Sequence, residues 1–467
     1  MKDLFKLEKH NTTVRREIIA GFTSFTAMAY ILFVNPGIFL ELDAVSYNAI
    51  YISTALSAVI GTVLIGLLAN LPLAQAPGMG LNAFFVYTVC LGLGFSYSNA
   101  LIFILADGLL FVLLTVTGLR KLIFDAVPQV VKTAIPAGLG LFIAFLGLQD
   151  AGIVVNDAST CVSLASFNLL GSASWASVMP MLVTIITLIA VGVLNKKGLK
   201  SAMLLSILLG AALYYALGAT VSGFYGEFSL GSLNPFSAFK EFKDLALFKV
   251  FTSGFDFSLY LETHSASSLV ISFLTTSLAF CMLDMFDTMG TLYGACKAGG
   301  LLVKNEKGED EVPGLNRAML ADAIATCAGS VCGTSTVTTF VESTSGVAAG
   351  GRTGLAAMVT GAMFFVAMFL SPLASLIPSC AYSAALIYVG ILMMGCVRDI
   401  DWSDPAVALP SFMTIAVMPF TYSISYGIAF GLVSHVAISV FTGNIKKISV
   451  ATWTVTLMFA AMFFLTH

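Results

Sequence analysis

Apolar windows of about 20 residues, the length that crosses a bilayer as helix, recur along the 467-residue chain from one end to the other. Taken in order they predict spans near 17–39, 48–69, 76–92, 99–119, 126–149, 175–194 and 199–218. A second series follows near 266–296, 315–332, 336–350, 353–373, 379–397, 405–420 and 423–442. The runs are continuous and lack a ten-residue alternation, which excludes an outer-membrane barrel. The pattern therefore predicts an all-α polytopic membrane protein of fourteen spans. Seven lie in residues 1–218 and seven in 266–442, separated by the long connection 219–265, an extracytoplasmic loop on this count, and followed by an apolar tail, 443–467. An odd number of spans per half inserts the halves upside down relative to each other, so the two sevens are inverted repeats. The last apolar stretch, 449–466, is unpaired in this scheme and reads either as a fifteenth span or as an interfacial helix.

Two spans are interrupted at matching places. Span 3 is broken by Ala76-Pro77-Gly78-Met79-Gly80, and span 10 by Gly333-Thr334-Ser335-Thr336. Broken spans in corresponding positions of inverted halves point to a transporter's binding site. The half-helix after each break begins with free N–H groups at the positive end of its dipole. The β-branched run Thr334, Thr336, Val337, Thr338, Thr339 suits a short extended piece. Val127-Pro128-Gln129-Val130-Val131 before span 5 and Ile377-Pro378-Ser379-Cys380-Ala381 before span 12 repeat a second feature between the halves.

Charge tests the topology independently. If the spans alternate, 19 of the 22 Lys and Arg residues fall on one side, together with the N-terminus. By the positive-inside rule that side is the cytoplasm, in an inner or plasma membrane. The three exceptions, Lys240, Lys243 and Lys249, share the long connection, where the rule is weakest. The first apolar run, after Arg15-Arg16-Glu17, is too long for a signal peptide and lacks a cleavage-like end, so it reads as span 1. No basic tract suggests nucleic acid. Eight cysteines lie almost wholly in spans, Cys161 excepted, and imply no disulfide framework.

Charge inside the spans is where chemistry is expected. A carboxylate at bilayer depth costs about 2.5–3.5 kcal/mol on insertion scales, so it usually faces a polar cavity and performs a task. Asp284 and Asp287 in span 8 are three residues apart, about one helical turn, and can look into one cavity. Glu342 follows the break in span 10, and Asn82 the break in span 3. The Asn82 amide offers donors and an acceptor to a heterocycle edge, or alternatively caps its own helix. Glu342 could instead pair with Arg352, and the span-8 acids could be tied to backbone and hydroxyls. Asp107 in span 4 is a further intramembrane acid with no evident place. Asp322 in span 9, five residues from Arg317, reads as interfacial. Phe84, Phe286 and Phe340 flank these polar residues, and a flat ligand would use one or two such faces. Four scattered histidines have no ligand spacing, so neither a metal site nor another cofactor is expected.

With these residues in view the chain resembles the xanthine/uracil permease superfamily, and within it the AzgA-like adenine/guanine/hypoxanthine permeases. The resemblance runs end to end. It is carried by Glu17-Ile18-Ile19-Ala20-Gly21-Phe22-Thr23 with Tyr30-Ile31-Leu32-Phe33-Val34-Asn35-Pro36, and by Ala76-Pro77-Gly78-Met79-Gly80-Leu81-Asn82-Ala83-Phe84-Phe85. Further on come Phe286-Asp287-Thr288-Met289-Gly290-Thr291-Leu292 and Gly333 to Ser343. It implies a core domain (spans 1–4 and 8–11) that carries substrate against a gate domain (spans 5–7 and 12–14), and a homodimer through the gate domain as a possible assembly. It also implies uptake of purine bases coupled to H⁺, with Na⁺ as the alternative ion. Carried over by position, substrate contacts fall on Asn82, Asp284, Glu342, Phe84, Phe286, Phe340 and Thr339, and proton coupling on Asp287 with Asp284. Uracil- and xanthine-type relatives resemble a pattern with a histidine after the span-8 acid, where this chain has Thr288 and Thr291, a departure that argues for the AzgA-like branch.

Removal from water disfavours the charged form of a carboxyl, so one acid of the span-8 pair can load a proton outside and release it inside. One proton moving through 100 mV is worth about 2.3 kcal/mol, enough for roughly 40-fold accumulation. Two rival readings fit the residues less well. Paired membrane acids also mark intramembrane aspartyl proteases, but their Gly-x-Gly-Asp stretch is absent. A sulfate-type anion transporter could share the architecture, but three acids at the site would repel a dianion.

Overall fold

The computed structural model describes residues 5–118, 127–171, 173–221, 224, 234–304, 310–445 and 448–465. Of the basic residues in the topology count, Lys2, Arg120, Lys121, Lys307, Lys446 and Lys447 lie outside them. The chain is a helical polytopic membrane protein, and among the described residues eight helices are long and apolar enough to cross a membrane.

The first half runs α1 (Val14–Met28), α2 (Ile31–Phe39), α3 (Tyr47–Leu68), β1 (Gln75–Pro77), α4 (Met79–Ala83), α5 (Tyr97–Thr117), α6 (Gln129–Asp150), the hairpin β2 (Val154–Asp157) and β3 (Cys161–Leu164), α7 (Trp175–Lys196) and α8 (Ala202–Gly218). Helix α4 continues as a π-helical segment, Phe84–Gly92. The long connection contributes α9 (Pro235–Leu245). The second half comprises α10 (Ala266–Ala298), the short pair β4 (Val303–Lys304) and β5 (Asp310–Glu311), α11 (Leu315–Cys332), β6 (Val337–Thr339), α12 (Thr344–Ala348), α13 (Gly354–Met368), α14 (Ser379–Met393), α15 (Pro405–Thr421) and α16 (Ile424–Phe441). The unpaired tail forms α17 (Val450–Leu465), packed on α16 and α10.

The helices begin where the sequence supplies caps. The hydroxyls of Ser46, Ser96, Ser265 and Ser423 accept from the backbone N–H three residues on, satisfying donors that the first turn leaves open. Helix α13 stops at Met368, short of the expected 373, ahead of a separate turn, Ser371–Ala374, that contains Pro372. Proline lacks the N–H that a continuing helix would need.

Packing sorts the helices into two groups. Helices α1, α3, α5, α10, α11 and α13 pack among themselves, and α6, α7, α8, α14, α15 and α16 pack among themselves. Small residues permit the closest approaches. A β-carbon on Gly354 would lie 2.0 Å from the Gly66 carbonyl, and one on Gly390 would lie 2.4 Å from the Gly140 carbonyl, so any larger side chain at either crossing would force the helices apart.

Glu17 binds the start of the chain to the second half. It is fully buried. Its carboxylate accepts from the Arg352 and Thr353 backbone N–H groups at 2.9 and 3.3 Å, from the Ala356 N–H at 3.2 Å, and from the Thr12 hydroxyl at 2.8 Å. It is thus a cap supplied to α13 by another helix. Arg352 is held by its backbone bond to Glu17 and by its guanidinium bonds to the Val347 and Gly351 carbonyls, while the Glu342 carboxylate takes its hydrogen bond from Tyr30 instead. Glu17→Ala leaves three buried backbone donors unpaired and is expected to cost about 2–3 kcal/mol. This would be read as a lower unfolding temperature of the detergent-solubilised protein; an unchanged temperature would contradict the role.

Candidate functional site: a cavity at two interrupted segments

The site is built on the pairing of β1 with β6. The strands are antiparallel, with Gln75 opposite Thr339, Ala76 opposite Thr338 and Pro77 opposite Val337. Flanking bonds extend the ladder: Gly78 N–H to Thr336 O and Phe340 N–H to Ala74 O, both 3.0 Å. The Ser343 hydroxyl accepts from Ala74 N–H at 3.0 Å. Backbone groups without a helical partner are costly away from water, and each broken segment supplies the partners of the other.

In front of this crossing lies a cavity of about 590 Å³. Its floor is Gly78, Met79 and Gly80 from the first break and Thr339, Phe340, Val341 and Glu342 from the second. Asp287 on α10 forms a side wall, while Lys200, Asn195 and Tyr388 stand toward one end. Asp287 is exposed to the cavity and Glu342 half-buried in it. The Tyr30 hydroxyl donates to Glu342 Oε1 at 2.5 Å. The Lys200 ammonium reaches across from the α7–α8 turn to the Ser345 carbonyl at 3.1 Å.

Behind the crossing lies a different set of acids, all fully buried. Asp322 accepts from Gln75 Nε2 and from the Thr288 hydroxyl, both at 2.7 Å, and Thr288 in turn bonds Thr338 at 2.7 Å. Asp107 accepts from Thr336 at 3.1 Å. Asp284 accepts from Thr326 at 3.3 Å, and that hydroxyl also lies 3.1 Å from the Val337 carbonyl. One oxygen each of Asp107 and Asp284 has no hydrogen-bond partner among the described residues. Asp322 is therefore not interfacial, as its distance in sequence from Arg317 suggested; it is a buried anchor for both strands. Asp107, which the sequence left unplaced, holds the entry to β6.

Of the residues singled out from sequence, Asp287, Glu342, Phe340 and Thr339 line the cavity together. The other four lie elsewhere. Asn82 is buried, with its oxygen accepting from Ser335 and its nitrogen 3.5 Å from the Pro77 carbonyl. Asp284 sits in the rear network. Phe84 is buried against Phe280, with ring centroids 4.4 Å apart. The Lys132 ammonium lies 5.8 Å from the Phe286 ring centroid. Tyr30 was missed as a site residue, although it stands in a quoted motif at the junction of α1 and α2; a phenol beside a helix break inside an apolar span was the available signal.

A polar cavity walled by two interrupted apolar segments, inside a polytopic helical body, is the architecture of a membrane transport protein. The family comparison agrees: a model described as Permease family (Xan_ur_permease) matches residues 15–430. The chain belongs to this family, whose members are transporters and not enzymes. It is 36% identical to the guanine/hypoxanthine permease PbuO of Bacillus subtilis, over 99% of each chain. It is also 36% identical to the adenine permease AdeP of Escherichia coli, over 98% of this chain and 95% of that one. Among solved structures, the transmembrane domain of the cyanobacterial bicarbonate transporter BicA superposes with a TM-score of 0.60 at 14% identity, covering 90% of this chain and 97% of that one. That likeness is one of fold.

The split between front and rear acids can be tested by accessibility. In protein whose eight native cysteines are replaced, Asp287→Cys and Glu342→Cys are expected to react with a membrane-impermeant thiol reagent about tenfold or more faster than Asp284→Cys and Asn82→Cys. Equal rates at all four positions would contradict the geometry.

Proposed function

We propose that the chain imports purine nucleobases (hypoxanthine, adenine or guanine) by proton symport, with a substrate-carrying core moving against a gate in an elevator-like exchange of access. The fourteen spans in two inverted sevens, the cytoplasmic N-terminus and the homodimer through the gate belong to the same proposal. The observation that carries it is the opening of Asp287 and Glu342 onto one cavity, beside Phe340 and at the ends of two broken segments. It occurs in a chain 36% identical to permeases for adenine and for guanine/hypoxanthine.

The chemistry follows from what a neutral purine presents. Its ring N–H groups and any exocyclic amine are donors, and a carboxylate is acceptor-only with two oxygens. Glu342, held by Tyr30, is a pre-oriented acceptor, and Phe340 offers the base an aromatic face. Asp287 has open access to cavity water, so it suits the part of proton carrier. It also lies close enough to Glu342 that a proton on one carboxyl eases the charge on the other. Asn82 and Asp284 act from behind in this conformation, positioning β6 and the start of α4. Lys200 lines the cavity, and Lys196 and Lys197 stand beside the lining residues Asn195 and Gly198, a basic cluster that the positive-inside rule assigns to the cytoplasmic side. On that reading the conformation faces inward.

The first test is uptake of labelled hypoxanthine in cells lacking their own purine permeases. Adenine and guanine are expected to compete and uracil not to; competition by uracil alone would refute the substrate class. Glu342→Gln replaces an acceptor by a group that can turn N–H toward N–H. It is expected to weaken purine binding by about tenfold to 100-fold, the range for a hydrogen bond to a charged group. Asp287→Asn should retain purine counterflow in liposomes yet fail to accumulate purine under a proton gradient. Normal accumulation by that variant, or strict dependence on Na⁺, would remove the proton assignment.

A further inference from the structure

A second cavity, of about 460 Å³, lies at the other end of the segment that opens the first. Met79 and Gly80 begin that segment and line the first cavity; Tyr87, Leu91 and Gly92 end it and line the second. The second cavity also takes in Glu41, from the α2–α3 turn, Gln149 and Asp150, from the end of α6, Asn156 of β2, and Tyr422, from the α15–α16 junction. Its volume falls within the roughly 300–1,000 Å³ of small-molecule sites.

Its lining repeats the chemistry of the first cavity on different residues. Glu41 and Asp150 are acceptors, Gln149 and Asn156 can both donate and accept, and the rings of Tyr87 and Tyr422 stand 6.3 Å apart at 52°. Among the described residues the lining has no lysine or arginine, so an anion would meet two carboxyls and no opposite charge. The polar groups are too many for a lipid chain. A planar nitrogen heterocycle with several N–H donors satisfies the carboxylates and lies against the tyrosines.

Tyr422 ties this cavity to the moving part. It holds a left-handed backbone, φ 51°, which is costly for a bulky side chain and persists only where its surroundings hold it there. Its hydroxyl donates to Gln149. Its carbonyl accepts from Thr88 on the π-helical segment at 3.3 Å, and Thr88 in turn accepts from Ile424 N–H at 3.4 Å. These bonds join the π-helical segment to the α15–α16 junction beside the cavity. A ligand resting there touches the end of α6, the α15–α16 junction and the same segment that begins at the first site.

We propose that this second cavity is a distinct, weaker nucleobase site, an antechamber from which the base passes to the Asp287–Glu342 site when the Tyr422–Thr88 contacts open. The inference rests on the nucleobase reading above, and the test separates the two. Equilibrium dialysis of the purified full-length chain with radiolabelled hypoxanthine and adenine is expected to give two molecules bound per chain, one at least tenfold weaker than the other. Glu342→Gln should weaken the tight site about tenfold to 100-fold and leave the weak site unchanged. The double variant Glu41→Gln/Asp150→Asn should keep only the tight one, and should raise the half-saturating concentration for uptake at least threefold. Glu41→Gln alone, at an exposed position, should weaken the second site at least threefold. A single site in the wild-type chain that Glu342→Gln weakens would overturn the antechamber alone, as would a weak site that survives the double variant unchanged. Failure of every protein to bind either base would overturn the nucleobase reading and the antechamber with it.

Discussion

Two segments of this chain stop being helices inside a membrane-spanning body, and the backbone hydrogen bonds each gives up are supplied by the other. That mutual repair, β1 against β6 in the register Gln75–Thr339, Ala76–Thr338, Pro77–Val337, is the constraint on which the rest depends. An unpaired N–H or C=O at that depth costs several kcal/mol, so neither strand can form without its partner, although some 260 residues separate them in sequence. Once they are paired, Glu342 is fixed just after one strand and the α4 segment just after the other. Both then face whatever helix crosses in front.

Five acids around this crossing are sorted by it. Asp287 and Glu342 stand on the cavity side. Asp107, Asp284 and Asp322 stand behind and reach the strands through hydroxyls and one carboxamide: Thr336, Thr326, Thr288 and Gln75. Asp284 and Asp287 thus serve opposite sides of the same strand pair although only one helical turn separates them. The rear acids hold the broken segments in place, and the front acids open onto the cavity, where a ligand can meet them. On the proposed mechanism, a proton arriving at Asp287 changes the charge of the front set without disturbing the anchors behind it.

Much of this was legible in the sequence, and the omissions have definite causes. The eight long apolar helices lie at predicted spans because apolar length and serine caps are local signals, and the breaks were visible as Pro77-Gly78 and Gly333-Thr334. Glu342, Asp287, Phe340 and Thr339 could be named because an acid, or the neighbour of a break, is conspicuous in an apolar run. What sequence spacing could not show was which side of the β1–β6 crossing a side chain takes. A spacing of three put Asp284 and Asp287 on one face, yet β6 runs between their surroundings. Asn82 follows a break just as Glu342 does, but its partner, Ser335, comes from the opposing break. Asp322 was misjudged because Arg317 is near in sequence, whereas Gln75, which pairs with it, is 247 positions away. Tyr30 has no charge to mark it.

The central claim is that a base bound in the front cavity and a proton on Asp287 are held together. Calorimetric titration of the purified chain with hypoxanthine at neutral pH, in buffers of differing ionisation heat, counts the protons taken up per base bound. The account predicts net uptake of up to one proton in the wild-type chain and none in Asp287→Asn, with hypoxanthine binding retained in both. Binding without proton uptake in the wild-type chain, or equal uptake in the two proteins, would contradict it.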